Sequence, residues 1–198
     1  ELRDADPYRM ANVSWSLVQQ AADGAAARHT LLDVGLGVVQ SLLDFERSHG
    51  VHVVHEVLLS HSHFDHVAHL DWLSSAIRRN GRPEQPRPLP VYCTDECWRI
   101  GPARLFPWLV DKAIRHVPLR AGLPFELGGL RVTPMAIEHG HTAPGAVGFS
   151  IDFGGPTSSG AAGERRRVVM TCDVQRVVNL ADAAWHGADV LFVEANTW

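Results

Sequence analysis

Ser60-His61-Ser62-His63-Phe64-Asp65-His66 is the stretch on which the fold and the chemistry of this chain turn. Four cation-binding side chains, His61, His63, Asp65 and His66, fall within it. His61 and His63 alternate around Ser62, so an extended backbone points both imidazoles to the same side. The turn that follows displaces Asp65 and His66 toward a neighbouring point. One loop thus offers two ligand sets. Neutral imidazoles and a carboxylate suit zinc, or manganese or iron in its place, and two such ions about 3.5 to 4 Å apart form a hydrolytic pair. A histidine-rich surface loop does not account for the clustering: of twelve histidines, four lie between His61 and His69, with two more at His139 and His141.

Outward from this loop the hydrophobic pattern alternates between strand and helix. Val53 to Leu59, ahead of the cluster, is a short aliphatic run expected to be a buried strand. From His66 to Arg79 apolar residues recur at Val67, Leu70, Leu73 and Ile77, which predicts one amphipathic helix. Upstream, Ser14 to Gln19 and Thr30 to Val34 read as strands around a turn near Ala21 to Arg28, with Asp33 near the second strand's end. Val38 to Ser48 has helical spacing and stops at Gly50. Downstream, a proline-rich loop from Asn80 to Pro90 leads to a strand at Leu89 to Tyr92 and a helical region from Glu96 to Asp111, interrupted by Pro102 and Pro107. Short strands are expected at His116 to Leu119, Pro124 to Leu127 and Leu130 to Ile137, with His139 at the end of the last. Ala146 to Phe153 and Arg167 to Thr171 flank a loop at Gly154 to Gly163, and Asp173 lies just past the returning strand. A short helix at Leu180 to Gly187 and a buried strand at Val190 to Val193 close the pattern. Two sheets packed face to face with helices outside are the expected layers.

Composition narrows the function classes. The 198 residues, 45% hydrophobic and 20% charged, describe one globular domain spanning residues 1–198. The net charge of −4 disfavours a long nucleic acid as partner. Arg78, Arg79, Arg82 and Arg87 read as a solvated loop. No apolar run approaches the roughly 20 residues needed to span a bilayer, so no membrane anchor is expected, and no secretory signal is visible at Glu1, as would also hold for a matured or trimmed protein. Three cysteines, Cys93, Cys97 and Cys172, do not make a disulfide framework; they fit a reducing, cytoplasmic compartment and receive no role. The six tryptophans are expected in the core and pocket walls. His29, His49, His52, His55, His69, His116 and His186 are expected to be solvated or satisfied in the core rather than ligands.

His61-Ser62-His63-Phe64-Asp65-His66 resembles the H-x-H-x-D-H motif of metallo-β-lactamase fold hydrolases. Asp33 in Leu32-Asp33-Val34-Gly35 is similar to that family's strand-terminal aspartate before a glycine. His139 or His141 stands for its third-motif histidine, and Asp173 in Thr171-Cys172-Asp173 for its bridging aspartate, all in family order. The resemblance implies a mixed α/β (α+β) fold, a four-layer αββα sandwich. Leu130 to His139 followed by Gly148-Phe149, together with Asp189 to Thr197, is similar to the ribonuclease Z and phosphonate-pathway cyclic phosphodiesterase branch. Gly140-His141-Thr142-Ala143-Pro144-Gly145 instead resembles the Gly-His-Thr-Pro-Gly turn of the lactamase, lactonase and thioesterase branches, with one residue inserted. The family's glycine-rich first strand has no counterpart ahead of Glu1, nor has its last metal-binding histidine beyond the Glu194-Ala195-Asn196-Thr197 segment.

The metal ligands implied are His61, His63, Asp65, His66, His139 and Asp173, holding two divalent ions, zinc first with manganese or iron as alternatives. The strand end favours His139 over His141 as third-motif ligand, with His141 nearby as a substrate-facing group. Asp33 reads as an acceptor that orients the histidine loop rather than as a ligand. Such ions lower the pKa of bound water and supply hydroxide, with Asp65 as ligand and proton acceptor and His141 as general acid. A small or cyclic phosphodiester is the expected substrate, in a monomer or homodimer. Two alternatives remain: hydrolysis of a lactone, thioester or β-lactam, and a non-catalytic binding module with a degraded metal site.

Overall fold

The computed structural model describes residues 14–20, 26–51, 53–80, 85–154 and 165–193. His52, Arg82, most of the Gly154–Gly163 loop and the segment from Glu194 onward lie outside these residues. The first sheet has the order β1-β2-β3-β4-β5, formed by Trp15–Gln20, Ala26–Leu32, Glu56–Leu58, Leu89–Thr94 and Ile114–Leu119. β1 is antiparallel to β2; the other neighbours are parallel. The second sheet is built on β7 (Leu130–Glu138), β8 (Val147–Phe153) and β9 (Arg166–Met170), successive and antiparallel. β6 (Phe125–Leu127) and β10 (Arg176–Val177) pair with β7, and β11 (Val190–Phe192) runs parallel to β9 at the edge.

Period-two alternation decides which face each residue serves. Leu32 and Leu58 point into the core between the sheets, where they meet Val132, Val147, Phe149, Ile151 and Met170. Their neighbours Leu31, Val57 and Leu59 face the other way, onto the layer that includes α1 (Val38–His49) and α3 (Leu70–Asn80) through Val38, Leu70 and Leu73. Two short helices, α4 (Asp95–Ile100) and α5 (Pro102–Leu105), complete that layer; Thr94 caps α4 by accepting from the Cys97 amide. On the outer face of the second sheet a single 3-10 turn, Ala183–Trp185, packs on Met135 and Val169.

Four local expectations are corrected. The helix expected from His66 to Arg79 is two helices, α2 (Phe64–Val67) and α3. The break has a backbone cause: the Val34 amide donates to the His66 carbonyl (2.7 Å) and the His69 amide donates to the Val34 carbonyl (3.0 Å). The chain leaving β2 thus takes two groups that a continuous helix would pair internally. The helix expected at Leu180 to Gly187 is only the 3-10 turn, because the Asp182 side chain caps Ala184 and the Arg167 guanidinium donates to the carbonyls of Ala183 and His186 (3.0 and 2.8 Å). The strand expected to be buried at Val190 to Val193 is an exposed edge strand, with Phe192 packed on Trp15 (ring centroids 4.5 Å apart). Of the tryptophans expected inside, Trp15, Trp72 and Trp108 are exposed.

Candidate metal centre

Four strands deliver the site. Parallel β2 and β3 end at Asp33 and at the Ser60–His66 loop; β7 and β9, flanking β8 and running the same way, end at His139 and Asp173. All four carboxyl ends meet at one end of the sandwich, where parallel strands gather ligand-binding groups. Asp33 sits at φ 58°, a left-handed conformation that aspartate tolerates better than most residues. That bend turns its buried carboxylate onto the histidine loop.

The carboxylate meets three donors. The Ser60 amide donates to Oδ1 (2.8 Å), the Ser60 hydroxyl to Oδ2 (2.7 Å), and His66 Nδ1 lies 2.9 Å from Oδ2. Because the Ser60 proton is committed to Asp33, its oxygen accepts from His61 Nδ1 (2.9 Å). Asp33 thereby sets the tautomer of two histidines, directly for His66 and through Ser60 for His61. Both keep a proton on Nδ1 and turn Nε2 inward.

Those nitrogens converge. Ligand atoms of His61, His63 and His139 lie within 4.8 Å of one another, as do those of His61, His66 and Asp173. Asp173 Oδ2 is 3.3 Å from His66 Nε2, 3.6 Å from His139 Nε2 and 3.9 Å from His61 Nε2. His63 Nδ1 faces His139 Nε2 at 3.0 Å, and its Nε2 faces Thr142 Oγ1 at 2.8 Å. His61 is fully buried, yet its Nε2 has no hydrogen-bond partner among the described residues.

The donor set passes a physical test for a divalent cation. A buried imidazole lone pair without a donor, beside two more imidazoles and a carboxylate, is costly unless a positive charge stands among them. Burial, helped by the neighbouring His66, pushes His61 down to about 2 against the pull of Asp173. Burial also opposes charge on His66, but hydrogen bonds to Asp173 and Asp33 outweigh it and raise that imidazole to about 10. A proton on His66 thus supplies the positive charge that Asp173 demands, in the place a metal ion suits. Burial lowers His139 as well, with Asp173 opposing.

The six residues named as ligands do not all enter these two groups. His61, His63, His66, His139 and Asp173 do; Asp65 stands at the rim, its side chain 58% exposed and Oδ2 3.8 Å from His66 Nε2. Of the two histidines on the turn after β7, His139 stands in the cluster and His141 is exposed. Sequence reasoning missed Ser60, Thr142 and Gln175, the last of which accepts from the Gly140 amide (3.0 Å). Their only sequence signal is adjacency to a ligand-type residue or to its turn, which many loop hydroxyls and amides share. His29 and His69 are satisfied elsewhere: His29 Nε2 is 3.0 Å from the Ser16 hydroxyl, and His69 Nδ1 accepts from the Gly37 amide (2.9 Å).

The profile of the beta-lactamase superfamily domain matches residues 28–198. No curated protein sequence matches the chain. Among solved structures, a diphosphatase from the PhnP family superposes with a TM-score of 0.59 at 17% identity, over 90% of this chain and 59% of that one. The metallo-beta-lactamase fold protein YhfI of Bacillus subtilis gives 0.51 at 20% identity, over 77% of this chain and 58% of that one. BJP-1, a subclass B3 metallo-beta-lactamase of Bradyrhizobium japonicum, gives 0.52 at 15% identity, over 90% and 69%. The chain spans under two thirds of the first two structures. Among the described residues no helix is long and apolar enough to cross a membrane.

Proposed function

This chain belongs to the beta-lactamase superfamily, and we propose that within it the protein is a metal-dependent hydrolase of small or cyclic phosphodiesters. The observation that carries the proposal is the position of Asp173. A single oxygen, Oδ2, lies within 3.9 Å of the inward nitrogens of His61, His66 and His139, so one carboxylate is shared by both ligand groups. His61, His63, His66, His139 and Asp173, with Asp65 at the rim beside His66, would hold two divalent ions, zinc first. Ions held there would lower the pKa of water and neutralise charge on a phosphoryl oxygen.

The chain's own groups supply the rest. Asp33 and Ser60 keep His61 and His66 in the tautomer that faces inward. Asp65, exposed at the rim, would accept the proton of the attacking water. His141, exposed beside Thr142, is the group on this turn able to return a proton to the leaving alkoxide. A phosphodiester is favoured over an acyl substrate by the likeness of Leu130 to His139 and Gly148-Phe149 to the cyclic phosphodiesterase branch, supported by the PhnP-family diphosphatase among the similar solved structures; two ions held here would serve either chemistry.

The test is metal content per chain by mass spectrometry on protein purified without chelator, for wild type, His63→Ala and Asp173→Ala. Turnover of bis-para-nitrophenyl phosphate is measured alongside a lactone and thioester panel. Two metals in the wild type, reduced in both variants together with phosphodiester turnover, is the expected result. Metal-dependent turnover confined to lactones or thioesters would move the substrate class, and a wild type without metal would overturn the proposal.

A further inference from the structure

His63 differs from its two partners in which nitrogen it turns inward. His61 and His66 present Nε2 because the Asp33–Ser60 pair holds their Nδ1 protons, whereas His63 presents Nδ1, 3.0 Å from His139 Nε2. A neutral imidazole carries one proton, so a cation at Nδ1 leaves that proton on Nε2, on the far side of the ring. Asp33 holds the other two rings from their Nδ1 side, so His63 needs an acceptor of its own. Thr142 Oγ1 lies 2.8 Å from His63 Nε2.

The turn bearing Thr142 is fixed at both ends. Gln175 Oε1 accepts from the Gly140 amide (3.0 Å), and the Thr94 hydroxyl donates to the Gly145 carbonyl (2.8 Å). Gly145 has φ 75°, and a Cβ there would fall 2.6 Å from Thr94 Oγ1 and 2.8 Å from Glu96 Cβ, so only glycine lets the turn seat against α4. Fixed between these two anchors, the Thr142 hydroxyl is presented to His63 by the fold.

We propose that Thr142 is a positioning residue for the metal centre, accepting the His63 Nε2 proton so that the Nδ1 lone pair faces the cluster. The proposal rests on the metal-dependent function above. Partners of this kind contribute about 10- to 100-fold to metal affinity.

The experiment compares wild type, Thr142→Val, which keeps shape without the hydroxyl, and Thr142→Ser, which restores it. Zinc affinity is measured by competition with a chromophoric chelator, and the His63 protonation site by long-range proton–nitrogen NMR of metal-free and zinc-loaded protein. Thr142→Val is expected to bind zinc about 10- to 100-fold more weakly and to lose the slowly exchanging His63 Nε2 proton, with Thr142→Ser within about threefold of wild type in affinity. A valine variant matching wild type in both readouts overturns the proposal, as does a serine variant as weak as valine. A wild type that takes up no zinc overturns the metal-dependent function instead, while the NMR signal still decides whether Thr142 holds the His63 proton.

Discussion

Replacing Asp33 with asparagine tests whether one buried carboxylate sets the geometry of the centre. The Asp33→Asn protein would keep a left-handed backbone at φ 58°, which asparagine tolerates, so the substitution changes charge and donor pattern while sparing the main chain. One oxygen remains to accept from the Ser60 amide. The other becomes an NH2 group facing two donors, the Ser60 hydroxyl at 2.7 Å and His66 Nδ1 at 2.9 Å. Both must reverse. His66 then accepts at Nδ1 and carries its proton on Nε2, against Asp173. Ser60, turned to accept from the new amide, gives its own proton to His61 Nδ1 and sends the His61 proton inward too.

Each charge-assisted bond lost for a neutral one costs about 1.5 kcal/mol, so two cost about 3 kcal/mol of stability in the metal-free protein. Two histidines in the wrong tautomer, at about 10-fold each, weaken zinc by at least about 100-fold. Urea denaturation of metal-free protein and chelator competition measure the two effects. Asp44→Asn, on the exposed face of α1 where Asp44 pairs with Arg47, is the control and stays within about 0.5 kcal/mol of wild type. An Asp33→Asn protein that binds zinc within about threefold of wild type would refute the tautomer relay.

Three further outcomes follow from other parts of the molecule. Burial holds His29 down to about 4, with a backbone bond to Val53 opposing, so its stability contribution is full above about pH 6.5 and drains away toward about pH 4 as the unfolded chain takes up the proton first. Between about pH 7 and about pH 5 this is worth about 2 kcal/mol in urea denaturation, and a His29→Gln protein with an undiminished pH slope would contradict it. Arg167 grips Asp152 through Nε and Nη2 (2.7 and 3.3 Å) while holding the carbonyls of Ala183 in the 3-10 turn and of His186 just past it, at the end of β9 far from Asp173. Arg167→Ala should cost about 2 kcal/mol and leave zinc affinity unchanged, and a parallel fall in affinity would count against that separation. At Gly148 a Cβ would lie 2.7 Å from the Met170 carbonyl oxygen and 3.2 Å from that of Thr171, on the backbone leading to Asp173. Gly148→Ala should therefore lose about 1 to 3 kcal/mol and also weaken zinc binding; intact affinity in a destabilised protein would show that β9 yields without moving Asp173.

What was legible in the sequence was whatever one segment encodes by itself. The aliphatic runs that hold Leu31, Leu32, Val57, Leu58 and Leu59 read as buried strands from composition alone, and the structure divides them between two cores. The cluster from His61 to His66 needed no partner to be recognised. What escaped depends on distant backbone meeting at a point. No pattern between His66 and Arg79 announces that Val34 will take the His66 carbonyl and end α2 after one turn. Val190 to Phe192 reads as apolar strand whether it lies at the centre of a sheet or at its edge, and only its pairing, among the described residues, with β9 alone places it at the edge. Ser60 and Thr142 carry no weight until Asp33 and His63 face them across 27 and 79 residues of chain.

The assembly also explains why ligand atoms and core share a fate. Asp33 and the His61–His66 loop belong to the first sheet, while His139, Thr142 and Asp173 follow strands of the second. The contact between these two sets crosses the interface whose interior is filled by Leu32, Leu58, Phe149 and Met170. Leu32 directly precedes Asp33 and Met170 lies three residues before Asp173, so the side chains that set the distance between sheets also set the distance between the halves of the site. A void or an excess methylene in that layer is felt as displacement because close-packed interiors transmit strain. Metal binding across the interface must in turn favour the packed state over the unfolded one, since only the folded chain brings the two halves together.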